Sequence, residues 1–138
     1  MLYPPSCQSR ARSNIDDARR YLKIGEGTQW VADNLSTGLL WAMEGWVIAR
    51  VGQISHGEGW NSTRLVFYKH ATTDLCSQVE SCYAEAVYLD FEFLGRDDEL
   101  PPMPMDEWKA KILACLEKTE NIVRQLINEA ESSGFRSF

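Results

Sequence analysis

The chain has 138 residues, of which 44% are hydrophobic and 25% are charged. This composition is typical of one soluble domain that buries a core without disulfides or metals, so it excludes the disordered and fibrous classes. The 14 basic residues are outnumbered by 20 acidic residues, for a net charge of −6. Because a broad nucleic-acid interface usually needs a basic surface, we expect RNA to bind only locally.

Charge is distributed unevenly along the chain. Residues 1–70 carry 8 basic and 6 acidic side chains, whereas residues 71–138 carry 6 and 14. Surfaces of opposite charge attract each other and can orient two partners. The asymmetry allows the two halves to attract each other, either within one chain or between two copies. The homodimer that we expect would form through apolar and small-residue faces.

Neither a membrane segment nor a secretory signal is evident. The longest apolar stretch, 39–51, contains Glu44 and Arg50 and is shorter than the roughly 18 residues that a span requires. Residues 1–13 lack an apolar signal core and are predicted to be a flexible arm. The four cysteines form no C-x-x-C pair, as is typical of free thiols in a reducing compartment. We predict a cytoplasmic protein that does not contact membranes and needs no metal or cofactor.

The first helix is predicted to begin at a cap formed by Ser13 or Asn14. Gly25 and Gly27 interrupt its pattern. Each glycine costs about 1 kcal/mol relative to alanine inside a helix, so we expect a bend or a break there. The apolar stripe of this segment consists of Ile15, Ala18, Leu22, Trp30 and Val31.

The second helix, predicted over 36–51, is apolar on nearly every side. A helix of this kind belongs at the centre of a domain. One of its faces carries only small side chains, which allow the backbone of another helix to approach closely. These residues are Gly38, Ala42, Gly45 and Ala49.

Two longer helices are predicted, over 62–94 and from Asp106 onward, separated by one glycine and three prolines. In each, apolar residues recur at intervals of 4, 3, 4, 3 and 4, which favours lengthwise packing on another helix. The third helix would be about 50 Å long. The stripes consist of Leu75, Val79, Cys82, Ala86, Leu89 and Phe93 in the third helix and of Trp108, Ile112, Cys115, Thr119, Ile122 and Leu126 in the fourth.

Together these patterns predict an all-α fold, because strand patterns are nearly absent. We predict a four-helix, up-and-down bundle with short connections. Its single domain is expected to span residues 14–131, and residues 132–138 are expected to be a C-terminal tail.

Arg64 and His70 are the candidate catalytic residues. In RNA cleavage without a metal, an imidazole moves a proton to or from the ribose 2′-hydroxyl while a guanidinium holds the phosphate. Positions six apart on a helix diverge by about 120°, so the pair converges only if Arg64 lies in a loop or a second chain supplies one partner. The alternative is that Arg64 pairs with a nearby carboxylate and His70 is a half-exposed surface residue.

Glu44, Trp60 and Arg96 are the candidate binding residues. Glu44 lies on the most apolar helix, where a carboxylate needs a partner, and Arg50, Arg64 or Arg96 is the expected cation. As a catalytic acid it would instead need a raised pKa and a cleft. Trp60 is predicted to lie in a loop and could stack on a base. The acidic run 97–99 matches no calcium loop and is expected to be solvated.

The order of these elements resembles the HEPN superfamily over residues 14–131. The resemblance is carried by Ala18, Tyr21 and Leu22, by the Leu-Trp-Ala-Met-Glu-Gly-Trp string at 40–46, and by Glu-Trp-Lys-Ala at 107–110. The Ala-Met-Glu sequence is similar to an Ala-Val-Glu stretch common in that family, which would make Glu44 the family's polar residue on the second helix. The resemblance implies a helical bundle that commonly forms dimers.

Many HEPN proteins are ribonucleases with an arginine followed, four to six residues later, by a histidine near the last helix. Others lack the motif and partner a small nucleotidyltransferase in toxin–antitoxin pairs. Here Arg96 lies at that place, but no histidine follows it, and the match from Arg64 to His70 falls earlier. The resemblance therefore implies a non-catalytic, dimeric accessory or nucleotide-binding regulatory module. The alternative is a metal-independent ribonuclease that uses Arg64 and His70.

Overall fold

The computed structural model describes residues 4–26, 28–52, 60–94 and 103–132. These residues form five α-helices and one short 3-10 helix, and none of them lies in a strand. The all-α prediction is therefore confirmed. The helices are α1 (Pro4–Ile24), α2 (Val31–Arg50), α3 (Trp60–His70), α4 (Thr73–Leu94) and α5 (Met105–Glu131), and the 3-10 helix Thr28–Trp30 precedes α2.

The first helix begins at Pro4, well before the predicted cap. Residues 4–13, which we predicted as part of a flexible arm, are helical, so that prediction is wrong for them. Cys7 and Ala11 are fully buried and extend the stripe of Ile15 and Ala18 by two turns. Proline is tolerated in a first helical turn because the amides there have no helical partner.

The break predicted at the two glycines is the end of α1. Gly25 adopts a φ of +75°, a left-handed conformation that glycine reaches without steric cost. Its N–H donates to the Tyr21 carbonyl at 3.0 Å, which satisfies one of the last helical acceptors. The chain then turns back into α2, which begins at Val31 rather than at the predicted residue 36.

The second helix lies at the centre of the molecule, as predicted. It packs against α1, α3, α4 and α5. A Cβ atom added to Gly38 would lie 3.1 Å from the Asn14 Cβ and 3.2 Å from the Ala11 carbonyl oxygen, so the predicted small face brings α1 and α2 close together. Even with α2 included, no helix in the described ranges combines the length and apolar character needed to cross a bilayer.

The predicted third helix is two helices, so the prediction of one continuous rod over 62–94 is wrong. Residues 71 and 72 separate α3 from α4. The Leu75 N–H donates to the Thr72 hydroxyl at 3.2 Å, an N-cap contact that starts a new helix. The apolar intervals continue across the break, which is why periodicity alone did not detect it.

The longest helix, α5, runs antiparallel to both α1 and α4. Arg12 and Arg19 on α1 pair with Glu131 and Glu120 on α5, respectively. On the other side, the Trp108 Nε1 donates to the Leu89 carbonyl at 2.7 Å, and further along α5 Lys118 lies 3.8 Å from Glu85. Within the described residues, α1 and α4 do not pack against each other. They therefore flank α5 on opposite sides.

Candidate functional site

Arg64 lies in the first turns of α3, on the side that faces α4. Its Nη2 donates to the Glu80 carboxylate at 3.3 Å, and the Tyr68 hydroxyl donates to the same carboxylate oxygen. The guanidinium lies over the Tyr83 ring, 4.3 Å from its centroid, and 5.9 Å from that of Tyr68. We refer to Arg64, Tyr68, Glu80 and Tyr83 as the Arg64 cluster.

Two pKa shifts describe the electrostatics of this cluster. Burial acts to lower the pKa of Arg64, but hydrogen bonds to Tyr68 and Glu80 outweigh burial and raise that pKa above its ordinary value. Burial and the hydrogen bond to Glu80 raise the pKa of the Tyr68 phenol. Arg64 therefore stays charged and Tyr68 stays protonated at neutral pH, so both keep their hydrogen bonds to Glu80.

His70 is the last residue of α3, and its side chain is exposed. Arg64 and His70 lie on the same helix, where a separation of six positions turns them about 120° apart. None of the contacts between described residues joins them. The structure therefore does not bring the candidate catalytic pair together within one chain.

Glu44 is fully buried on α2, where the sequence predicted a carboxylate that needs a partner. The Thr63 hydroxyl on α3 donates to the Glu44 Oε2. Burial, with the charge of Glu44 as a second cause, raises the pKa of the Cys7 thiol on α1 to about 11. Glu44 and Thr63 thus form an interior polar group between α2 and α3, and the charge of Glu44 reaches Cys7 on α1.

Two of the three arginines predicted beside Glu44 make their contacts with other residues. The Arg50 Nη1 donates to the Glu129 carbonyl at 3.2 Å, and its guanidinium lies 5.3 Å from the centroid of the Trp46 ring. Arg64 belongs to the Arg64 cluster, and Arg96 lies outside the described residues. The hydroxyl of Thr63, which the sequence analysis did not consider, is the partner that the structure shows.

One other predicted site residue, Trp60, is placed only in part. Trp60 begins α3, so its backbone is helical rather than in the predicted loop, but its side chain lies outside what the structure describes. The acidic run 97–99 also lies outside the described residues. Among the described ones, no group of three or more His, Cys, Asp or Glu side chains could hold a metal ion.

All four cysteines are free thiols, as predicted. Burial raises the pKa of each of them, most strongly that of Cys115, which rises to about 12. A thiol with a raised pKa is a poor nucleophile at neutral pH because the thiolate is the reactive form. The three buried cysteines, Cys7, Cys82 and Cys115, therefore serve as small core residues.

A surface groove between α1 and α5 is a concave feature that the sequence analysis did not predict. Its floor is formed by Leu22 and Leu116, and Leu113 lies at its edge with 48% of its surface exposed. Charged side chains of both signs also line the groove, namely Arg19, Lys23, Lys109, Glu117 and Glu120. Its residues come from segments far apart in the chain, so no local sequence pattern identified it. We refer to it as the α1/α5 groove.

Comparison of the chain with protein-family models, with curated proteins and with solved structures gave no match. The functional argument therefore depends on the described contacts themselves. Among these, the Arg64 cluster, the interior group around Glu44 and the α1/α5 groove are the three features that bear on function.

Proposed function

We propose that this protein is a non-catalytic, dimeric helical-bundle module of HEPN-like type that acts as an accessory or regulatory partner of another protein. The observation that carries this proposal is the engagement of Arg64 by Glu80, Tyr68 and Tyr83. The class of partner suggested by the resemblance is an antitoxin or a small nucleotidyltransferase in the cytoplasm.

The proposed architecture is an up-and-down bundle of α1, α2, α4 and α5, with α3 as a short additional helix. The antiparallel contacts of α1 and α4 with α5 support this arrangement. So does the contact of the Arg10 guanidinium with the Trp41 ring, at 4.5 Å, together with the approach of Asn14 to Gly38. These two contacts indicate that α1 and α2 also run antiparallel.

The surroundings of Arg64 argue against a role in RNA cleavage. A guanidinium that holds a phosphate must offer its N–H donors to the phosphate oxygens. The Glu80 carboxylate already accepts from Arg64 and would repel a phosphate placed beside it. Arg64 therefore fits a structural role better than a catalytic one.

The test of catalysis is incubation of the purified protein with total RNA in the presence of a metal chelator. We expect the RNA to remain intact for the wild type, for Arg64→Ala and for His70→Ala. Cleavage by the wild type that disappears in His70→Ala would contradict the proposal and establish the ribonuclease alternative. Cleavage that persists in both variants would point to a contaminating nuclease, and the assay would be repeated on a sample freed of it.

Thermal unfolding with a panel of nucleotides separates a protein-binding role from a nucleotide-binding one. A ligand at 100 times its dissociation constant adds about 2.7 kcal/mol to stability. For a module that binds another protein, we expect Tm to stay constant across the panel. A rise in Tm that depends on the concentration of one nucleotide would shift the proposal to a nucleotide-binding regulatory module.

Light scattering at tens of micromolar protein tests the dimer. We expect a molar mass of twice that of the chain. A strictly monomeric sample at this concentration would remove the dimeric part of the proposal while leaving the test of catalysis unaffected.

A further inference from the structure

The turn between α3 and α4 is short and is held by few local contacts. Ala71 and Thr72 alone separate the two helices. The Leu75 N–H donates to the Thr72 hydroxyl at 3.2 Å and caps α4. The Cys76 thiol, a weak donor, lies 3.7 Å from the Tyr68 carbonyl and 3.8 Å from the Ala71 carbonyl. The turn therefore depends locally on one side-chain cap and two weak thiol contacts.

The sequence around the turn is also compatible with a continuous helix. Residues 60–94 contain neither glycine nor proline, the two residues that most disfavour a helix interior. On either side of the turn, the backbone keeps the helical hydrogen bonds between residues i and i−4. The Ala71 N–H donates to the Phe67 carbonyl at 2.8 Å, and the Cys76 N–H donates to the Thr72 carbonyl at 2.9 Å. Both hydrogen bonds would be unchanged in a continuous helix.

Continuity would exchange one hydrogen bond for another and preserve the apolar stripe. The Leu75 N–H would donate to the Ala71 carbonyl in place of the Thr72 hydroxyl. Phe67, Ala71 and Leu75 occupy positions i, i+4 and i+8, so they would lie along one face of the joined helix. Phe67 and Leu75 belong to the hydrophobic core, and Ala71 packs against it. The segment 60–94 thus has two helical arrangements that differ in a few local contacts.

A joined helix would separate the two groups of helices that the turn connects. In the fold, α2 packs against α4 and α5, and α1 packs against α5. The first group, α1–α3, keeps its own contacts, which include the hydrogen bond from Thr63 to Glu44 and the edge-to-face contact of Phe67 with Trp46. Its apolar surface toward α4 and α5 would become exposed to water, which is unfavourable. A second copy of the chain in the same arrangement has the surface that fits it.

Extending the dimer proposed above, on which this step depends, we propose that the dimer forms by exchange of helices at residues 71 and 72. In each copy α3 and α4 join, and α1–α3 of one copy pack on α4–α5 of the other. Each contact between the two groups then forms between two chains instead of within one. These contacts include the ion pair of Arg19 with Glu120 and the hydrogen bond from the Trp46 Nε1 to Glu129 at 3.2 Å. The partner is therefore a second copy of this chain.

The local balance at the turn determines the oligomeric state. Both states contain the same core contacts, so they differ mainly in the cap at Thr72, in the joined helix and in the entropy lost on association. The dimer is therefore favoured by higher protein concentration. Interconversion must open the core between α2 and α5, so the two states exchange slowly in the folded protein. Variants that are to form mixed dimers must therefore be unfolded and refolded together.

Crosslinking between two different variants tests the exchange. Arg19→Cys and Glu120→Cys are mixed in urea, refolded together at tens of micromolar and treated with a short bismaleimide. In an exchanged heterodimer, position 19 of one chain lies beside position 120 of the other. We expect a covalent dimer on a denaturing gel from the mixture but not from either variant refolded alone, which contains the same native cysteines. Arg12→Cys with Glu131→Cys is a second pair further along the same helices, and it should crosslink in the same way.

Variants at the turn change the balance in opposite directions. Thr73→Pro fits the first position of α4, where the N–H has no helical partner, but it would break a continuous helix. We expect this variant to be monomeric by light scattering at a concentration where the wild type is dimeric. The matched control is Thr73→Ala, which keeps the N–H and should dimerise at least as tightly as the wild type. Thr72→Ala removes the cap from both monomers, so it should lower the dissociation constant of the dimer at least about tenfold.

Circular dichroism checks that each variant keeps the helix content of the wild type. A wild-type dimer whose cysteine pairs do not crosslink between chains, or a dimer that persists in Thr73→Pro, would overturn the exchange while leaving the proposed dimer intact. If Thr73→Pro does not fold, the crosslinking result decides alone. A wild type that is monomeric by light scattering would overturn both the exchange and the dimer.

Discussion

Two carboxylates in this chain accept a hydrogen bond from a hydroxyl, but they differ in their access to water. Glu44 accepts from Thr63 and is fully buried, whereas Glu80 accepts from Tyr68 and has 52% of its side chain exposed. Glu80 also receives a hydrogen bond from Arg64. The two carboxylates therefore differ in their exposure to water and not in whether they accept a hydrogen bond.

This difference in exposure determines how much each hydrogen-bonded carboxylate contributes to stability. An ion pair exposed to water contributes from about 0 to 1 kcal/mol, because solvent competes for both partners. A buried polar group that loses its hydrogen-bond partner costs about 1 to 3 kcal/mol, and the space left by a deleted side chain costs more. We therefore expect the interior group around Glu44 to determine stability and the Arg64 cluster to contribute little.

The largest effect is expected for Glu44→Ala. The substitution empties a fully buried site and leaves the Thr63 hydroxyl without its acceptor. We expect a loss of about 3 kcal/mol in the free energy of unfolding, measured by urea denaturation. The control, Glu44→Gln, keeps the volume and an acceptor oxygen and should cost less. An increase in stability for the alanine variant would instead show that the burial of charge dominates.

The next effect concerns the buried thiol of Cys115, whose pKa is raised from 9.0 to about 12, mainly by burial. The folded state holds the thiol proton more tightly than the unfolded state. The resulting stabilisation is therefore fully present below pH 9 and is lost as pH rises toward 12. Between about pH 9 and pH 11 we expect the wild type to lose about 2 kcal/mol through this group.

Urea denaturation across this pH range, compared between wild type and Cys115→Ala, measures the contribution of this thiol. The variant should lose less stability than the wild type as the pH rises. Cys76→Ala is the matched control, because Cys76 is only partly buried and its removal should change the pH dependence less. Equal slopes for the wild type and Cys115→Ala would show that the buried thiol does not contribute to the pH dependence.

The apolar intervals predicted which faces are buried but not where each helix begins and ends. The stripe positions Leu75, Val79 and Leu89 of α4 are buried, as their spacing requires. The break before α4 depends on one cap at Thr72, a single local contact that leaves the apolar spacing unchanged. Periodicity reports the face that an element buries, so it predicts the packing better than the ends of helices.

The candidate site was harder to predict because its contacts join residues from different helices. Glu44 was recognised as a polar residue on an apolar helix, but the sequence suggested a cation beside it rather than Thr63. Two of the neighbours of Arg64, Glu80 and Tyr83, lie more than a dozen residues along the chain, on α4. Such partners depend on how the helices pack, which the sequence pattern of one helix does not determine.

A smaller effect is expected for Thr63→Val, which removes the hydroxyl and keeps the shape of the side chain. The buried Glu44 carboxylate then loses the hydrogen bond from α3. We expect a loss of about 1.5 kcal/mol, measured by urea denaturation, because a hydrogen bond to a charged group contributes about 1.5 to 3 kcal/mol. Thr63→Ser keeps the hydroxyl and serves as the control. A Thr63→Val variant as stable as the wild type, with a loss confined to Thr63→Ser, would show that methyl packing and not the hydrogen bond is what Thr63 contributes.

The smallest effect is expected for Glu80→Ala, which removes the carboxylate of the Arg64 cluster. Arg64 keeps its contact with the Tyr83 ring, and water can replace the carboxylate at this half-exposed site. We therefore expect a loss of about 0.5 kcal/mol, and less at 1 M salt, where the Debye length is about 3 Å. Glu80→Gln is the control that keeps a hydrogen-bond acceptor for Tyr68.

Glu80→Ala also measures directly what distinguishes the two carboxylates. If burial determines how much a hydrogen-bonded carboxylate contributes, Glu80→Ala should lower the free energy of unfolding several times less than Glu44→Ala does in the same denaturation experiment. A loss comparable with that of Glu44→Ala would mean that the cluster joins α3 to α4 far more strongly than an exposed ion pair does. Arg64 would then be a residue on which the position of α3 depends, and Arg64→Ala should show the same loss.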